Sequence, residues 1–169
     1  MTRTLAYLAQ VTGGQLHGQD APFDGVSIDS RTVPAGALFI ALRGPNFDGH
    51  AFAADALNRG AAALLVDHAL EVDLPQVVVA DTFAALTRFA SEWRRRFSLP
   101  LVGVTGSNGK TTTKEILGTI LAKEGSCLVT RGNLNNHIGV PLMLLELESS
   151  HRSAVIEMGA NHLGEIAHL

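Results

Sequence analysis

The residues best suited to chemistry lie in one short run, Gly106-Ser107-Asn108-Gly109-Lys110-Thr111-Thr112. The run follows Leu101 to Val104, which reads as a strand, and precedes a stretch with helical spacing. That strand–loop–helix setting is what a phosphate-binding loop requires. Glycines let successive backbone N–H groups turn toward phosphate oxygens, and the helix N-terminus adds partial positive charge. Lys110 would reach the β- and γ-phosphates, and the Thr111 hydroxyl would ligate Mg²⁺. The strict pattern G-x-x-x-x-G-K-[ST] wants glycine at position 104, where this chain has Val104. The signal therefore rests on the G-K-T-T core and its setting.

Glu157 is the second candidate. It ends the apolar run Ala154-Val155-Ile156. In an open parallel sheet the C-terminal ends of strands face the ligand crevice, and a carboxylate there suits Mg²⁺. An ordinary strand-end glutamate is the alternative. The third candidate is Arg131-Gly132-Asn133-Leu134-Asn135-Asn136-His137-Ile138-Gly139. Its three asparagines offer donors and acceptors without charge, which suits an amide-bearing ligand; a plain Asn/Gly turn is the alternative. His137 and His162 are available as bases or ligands but read as structural or exposed. Lys114, one turn beyond Lys110, reads as a solvated helix residue. Earlier, Asp29-Ser30-Arg31 ends a strand, and Arg43 to His50 forms a polar loop after another. Both offer contacts for a phosphorylated or carboxylated ligand.

The elements that must position these residues can be read from spacing. Thr4 to Val11 reads as a helix stopped at Gly13-Gly14. Strands are expected at Val26 to Asp29, Ala37 to Leu42, Ala62 to Val66 and Val77 to Ala80, with a helix from Gly49 to Arg59. Asp81 or Thr82 caps a helix whose stripe is Phe83, Leu86, Ala90, Trp93 and Phe97, so Trp93 is expected in a core. Ser98-Leu99-Pro100 breaks that helix, and the domain boundary is placed there, giving residues 1–98 and 99–169. Beyond it, Leu101 to Val104 is expected as a buried strand. The helix after the loop turns Ile116, Leu117, Ile120 and Leu121 to its apolar side. Cys127 to Thr130 is a strand, Pro141 to Leu147 a helix, and Ala154 to Glu157 a strand. Strand–helix–strand repetition implies parallel pairing. The fold class is α/β: a small N-terminal α/β unit, then the start of a phosphate-loop, parallel-sheet domain.

Composition bounds the rest. Hydrophobic residues make up 46% of the 169, enough for a core, which excludes a mostly disordered chain. The balance of 13 basic and 16 acidic residues gives a net charge of −3, with no basic field for nucleic acid. Arg94-Arg95-Arg96 reads as a solvated helix face. The one cysteine, Cys127, excludes a disulfide framework and reads as a buried, inert thiol. No run approaches the roughly 18 apolar residues of a membrane span, and the N-terminus lacks the pattern of a secretory signal. A cytoplasmic protein is expected. The chain stops at Gly164 to Leu169 as another helix should begin, so it is expected to be the front of something longer.

Together these segments resemble the Mur ligases of peptidoglycan synthesis. The resemblance is carried by Asp29-Ser30-Arg31, by Gly36 to Gly44, by Asp48-Gly49-His50-Ala51-Phe52 and by Thr105 to Thr112. Gly132 to Pro141 and Glu157 to Ile166 complete it. The family's loop reads T-G-x-x-G-K-T, which accommodates Val104. The last two segments are most similar to the branch that adds D-alanyl-D-alanine to UDP-N-acetylmuramoyl-tripeptide. The resemblance implies a three-domain enzyme that uses ATP and Mg²⁺ and works through an acyl phosphate. This chain corresponds to the first domain and the opening of the second, and this portion alone is expected to be inactive. The implied nucleotide site is Thr105, Gly106, Ser107, Asn108, Gly109, Lys110, Thr111 and Thr112. Lys110 and Glu157 are the implied catalytic residues, and Thr111 and Glu157 the metal ligands. Ser30, Arg31, Asn46, Asp48, His50, Asn135 and Asn136 are implied on the substrate side. The implied partners are the UDP-N-acetylmuramoyl-tripeptide and D-alanyl-D-alanine, with no nucleic acid and no membrane span; a monomer is expected. A sister ligase adding the third amino acid and a non-catalytic UDP-peptide-binding fragment remain alternatives. A folate ligase fits less well, because about a hundred residues precede the loop. An unrelated phosphate-loop kinase leaves those residues unexplained.

Overall fold

The computed structural model describes residues 3–169, which divide into two compact units, one through Phe89 and one from Ala90. The division falls inside a helix. In the first unit β1 (Arg3–Thr4) leads into α1 (Leu5–Thr12). The Thr4 hydroxyl accepts the Tyr7 N–H and Gly13 closes the helix at φ 72°. There follow β2 (Gln15–His17), β3 (Pro22–Phe23), β4 (Val26–Ser27), β5 (Leu38–Ile40), and a two-residue hairpin of β6 (Arg43–Gly44) and β7 (Phe47–Asp48). A 3₁₀ turn (Gly49–Phe52) runs into α2 (Ala53–Asn58), then come β8 (Ala63–Val66), β9 (Gln76–Val78) and α3 (Thr82–Arg94). The Asp81 carboxylate accepts the Phe83 and Ala84 N–H groups and so caps α3.

The sheet of this unit has the order β2-β9-β8-β5-β4, parallel except for β2. Its central strands β5 and β8 are fully buried, as unbroken aliphatic runs require. Phe39, Leu64 and Val66 pack with Val33, Ala53 and Ala56 in one core cluster. Leu5, Leu8 and Phe89 are also buried, with Phe89 edge-on to Tyr7 and Phe23.

The second unit carries β10 (Leu101–Val104), α4 (Lys110–Leu121), β11 (Cys127–Val129), α5 (Gly139–Leu144), β12 (Ser153–Glu157) and α6 (Glu165–His168). Its three strands are parallel in the order β10-β12-β11, with Val104 opposite Glu157 and Val129 opposite Val155. The loop after β10, the Asn-rich loop after β11 and Glu157 therefore all emerge at the same, C-terminal edge. Trp93 is buried as expected, and its indole N–H donates 3.0 Å to the Leu147 carbonyl. Among the described residues no helix is long and apolar enough to cross a membrane.

Five expectations are corrected here. Leu101 to Val104 is not a buried strand: β10 is an outer strand of the described sheet, and Val102 and Gly103 are exposed. Ile116 and Ile120 face outward, 56% and 57% exposed, because α4 turns Lys114, Leu117, Gly118 and Leu121 inward instead. Lys114 is thus not solvated but 1% exposed. Cys127, at the start of β11, is half-buried rather than buried. The arginine run is solvated only in part: Arg94 donates to the Phe97 and Leu99 carbonyls at 2.6 and 3.2 Å and ties down the chain after α3.

Candidate functional site

Gly109 adopts the left-handed conformation at φ 74° immediately before α4, a turn that a side chain would strain. The turn brings the start of α4 back over the loop, and the Lys110 ammonium donates 2.7 Å to the Gly106 carbonyl. An ammonium has three donors, so two remain for a ligand beside the loop. Ser107, Asn108 and Thr112 are exposed around it, as are Thr105 and Gly106. The Thr111 hydroxyl donates 3.1 Å to Glu157 Oε2, and the Asn135 amide donates 2.8 Å to Glu157 Oε1. Glu157 is 2% exposed. Its backbone N–H donates 2.8 Å to the Thr130 hydroxyl, which fixes the carboxylate's root.

Asn135 is held in turn by main-chain bonds. Its carbonyl accepts the Gly159 N–H at 2.7 Å, and its own N–H donates to Asn133 at 2.8 Å. Asn136 serves the backbone: its side-chain oxygen accepts the Ile138 and Gly139 N–H groups and caps α5. The structure therefore brings Lys110, Thr111, Asn135 and Glu157 together and gives Asn136 a capping role. His137 and His162 are exposed. The Thr111 hydroxyl and the Glu157 carboxylate are hard oxygen donors brought side by side, the donor set that suits Mg²⁺.

The first unit has its own polar cluster. Arg31 grips Asp29 through two parallel bonds, 2.9 and 2.7 Å. That pair, with the Arg31 backbone N–H, holds the Asp29 carboxyl at about 2. Ser30 is buried between them in sequence. Asp48 accepts the His50 backbone N–H at 3.0 Å and faces the His50 ring nitrogen Nδ1 at 2.6 Å; together these hold its carboxyl at about 2. His50 Nε2 accepts the Asp67 N–H at 3.0 Å, so the ring proton belongs on Nδ1, donated to Asp48. Arg43 pairs with Asp48 at 3.0 Å and with Asp67 at 3.5 Å. Asp48 and His50 thus brace the hairpin that presents exposed Asn46 and Phe47. His50, Asp67 and His68 come close enough to suggest a metal triad, but both His50 nitrogens are already bonded.

Spacing alone missed three residues in this unit. Phe47 and Phe52 stack at 5.4 Å, both exposed, beside a cavity of 470 Å³ that Ser30 and Arg31 also line. Arg59 lines a second hollow with Ser30 and Arg31. The signal that could have found the pair was two large exposed aromatics five residues apart, flanking a polar loop.

Residues 22–94 match the Mur ligase family, catalytic domain, and residues 104–169 match the Mur ligase middle domain. The UDP-N-acetylmuramoyl-tripeptide–D-alanyl-D-alanine ligase of Escherichia coli (strain K12) is 48% identical over 164 residues, covering 97% of this chain and 36% of the relative. A solved UDP-N-acetylmuramoylalanyl-D-glutamyl-2,6-diaminopimelate–D-alanyl-D-alanyl ligase from Acinetobacter baumannii superposes with a TM-score of 0.93 at 41% identity, over 99% of this chain and 39% of that one. The MurF ligase of Thermotoga maritima, solved in complex with ADP, gives 0.74 at 39% identity, over 85% of this chain and 34% of that one. The chain thus spans little more than a third of the length of these relatives.

Proposed function

The chain belongs to the Mur ligase family, and from that premise we propose that it supplies the UDP-sugar-binding unit and the phosphate loop of an ATP-dependent ligase. That ligase joins D-alanyl-D-alanine to UDP-N-acetylmuramoyl-tripeptide. The observation that carries the reading is the convergence of Thr111 and Asn135 on the buried Glu157, at the strand ends beside the Lys110 loop.

A carboxylate is a poor electrophile, so the tripeptide carboxylate must first be activated. One of its oxygens bonds to the γ-phosphorus of ATP while the bond to the bridging oxygen breaks, and ADP leaves with that electron pair. The amine nitrogen of D-alanyl-D-alanine then bonds to the acyl carbon. The nitrogen gives up a proton and phosphate departs, leaving the amide. The first step brings two anions together. Lys110 answers that repulsion with a fixed positive charge at the phosphates, and the loop N–H groups add oriented donors. Thr111 and Glu157 are the residues that would hold Mg²⁺, which supplies Lewis-acid charge neutralisation at the phosphates when bound. Asn135 orients Glu157 and leaves its amide carbonyl oxygen for the substrate side.

On the other unit, Ser30, Arg31 and the Asn46 to His50 hairpin take the UDP-muramoyl part, with Asp48 and His50 acting by shaping the hairpin. We assign the reaction to the cytoplasm, the compartment that would supply both ATP and a soluble UDP-peptide. Phosphate release by the purified complete ligase that contains this chain, measured with each substrate omitted in turn, tests the assignment. Release is expected only with ATP, UDP-muramoyl-tripeptide and D-alanyl-D-alanine together. Equal turnover with a single amino acid in place of the dipeptide would assign the sister reaction instead.

A further inference from the structure

Lys114 has no part in the chemistry above, yet it is one of the most completely buried side chains of the described residues, 1% exposed. Its ammonium donates 2.8 Å to the Thr130 carbonyl and lies 3.9 Å from Glu157 Oε2. Glu115 is nearer, at 3.1 Å, but is 66% exposed, where solvent weakens such a pair. One turn further along α4, Gly118 permits the approach. A Cβ there would lie 2.6 Å from Val129 Cγ2, so only glycine lets the helix sit this close to β11. Thr130, the next residue after Val129, is thereby brought within reach of Lys114. The Thr130 hydroxyl in turn accepts the Glu157 N–H at 2.8 Å.

Burying an ammonium carries a desolvation penalty that an apolar side chain of similar length avoids, and such replacements are often neutral or stabilising. Stability alone is therefore a weak reason for a cation here. Orientation is a better one. We infer that Lys114 is a positioning residue: through the Thr130 carbonyl and its charge opposite Glu157, it fixes the glutamate so that its carboxylate faces Thr111 as a ready metal-binding pair. The inference rests on the nucleotide and Mg²⁺ reading of this site. On this reading Lys114 acts through Thr130 and Glu157 rather than on the nucleotide or the metal.

The test measures ADP affinity by calorimetry in EDTA and again with saturating Mg²⁺; the ratio of the two is the magnesium gain. Outer partners of metal ligands typically contribute roughly 10–100-fold to metal affinity. Lys114→Met is expected to keep its EDTA affinity within about twofold, since the Lys110 loop is untouched, and to lose the magnesium gain by about tenfold or more. Thr130→Val, which removes the hydroxyl and keeps the volume, is expected to act in the same direction, and it carries the test should Lys114→Met not fold. Phe97→Ala removes the ring edge-on to Trp93 and is expected to lower the melting temperature with the gain intact. A variant at 114 or 130 that behaves like Phe97→Ala overturns the inference, and so does one that loses EDTA and magnesium affinity by the same factor. A wild-type protein that binds no ADP, or gains nothing from Mg²⁺, overturns the underlying nucleotide reading and the inference with it.

Discussion

Replacing Gly139 with alanine should unseat the Asn-rich loop. An added Cβ would lie 2.4 Å from the Leu134 Cα and carbonyl carbon and 2.8 Å from its oxygen. Carbon pairs prefer roughly 3.5–4.0 Å, so the overlap exceeds an ångström, and backbone atoms have no rotamer by which to yield. Either α5 or the Leu134–Asn135 segment must move. Moving the latter strains the bonds from Gly159 to Asn135 and from Asn135 to Glu157, at 2.7 and 2.8 Å. Overpacking costs about 1–3 kcal/mol, and a buried carboxylate that loses a partner costs a similar amount. Alanine's better helix propensity returns at most about 1 kcal/mol. The net expectation is a loss of about 1–5 kcal/mol. The chain's single tryptophan, Trp93, lies buried in the same unit, so urea unfolding followed by its fluorescence reads the right region. A midpoint equal to wild type at unchanged slope would refute the reasoning, because it would mean that this backbone contact yields freely.

Three further outcomes are expected. Asp81→Ala removes the cap of α3 and should cost about 1 kcal/mol in thermal unfolding, whereas Asp81→Asn should recover most of it. The Asp48 carboxyl is held at about 2 by His50, below its unfolded value near 3.9; its stabilisation is complete above pH 4 and lost as pH falls toward 2. Asp48→Asn should therefore melt below wild type at pH 7 and converge with it near pH 2, and a gap constant across that range would contradict the reading of Asp48 as a carboxylate held ionised by His50 hydrogen bonds. Lys110→Gln should weaken ATP binding roughly 10–100-fold, the worth of a charge-assisted bond to phosphate, as read by calorimetry.

The loop at Lys110 and the carboxylate at Glu157 were legible because each depends on local order: glycines, then Lys-Thr, then a helix, and an apolar strand ending in an acid. The parallel pairing of β10, β11 and β12 followed from the same alternation. Lys114 was not legible. Hydropathy assigns the inner face of α4 to its isoleucines, whereas the helix packs by Lys114, Leu117, Gly118 and Leu121. Gly118 makes that possible by lying against Val129, a contact only the folded chain reveals. Val102 and Gly103 read as buried because they are apolar or small, but burial depends on what flanks β10, and sheet order is not written in a four-residue run. The Gln15–His17 strand escaped notice because two of its three residues are polar; it joins the sheet as the antiparallel partner of β9. On the substrate side, Asp29 and Arg31 lie two residues apart in sequence, but their bidentate grip and the Phe47–Phe52 stack required coordinates.

The central claim, phosphoryl transfer from ATP to the tripeptide carboxylate, is tested most directly by an isotope. UDP-muramoyl-tripeptide labelled with ¹⁸O in its terminal carboxylate is turned over by the full protein with ATP and D-alanyl-D-alanine, and the released phosphate is examined by mass spectrometry. Attack of the carboxylate oxygen on the γ-phosphorus carries that oxygen away with phosphate, so one labelled oxygen per phosphate formed is expected. Phosphate carrying oxygen from water alone would mean that ATP is merely hydrolysed beside Lys110, and the ligase account would fall.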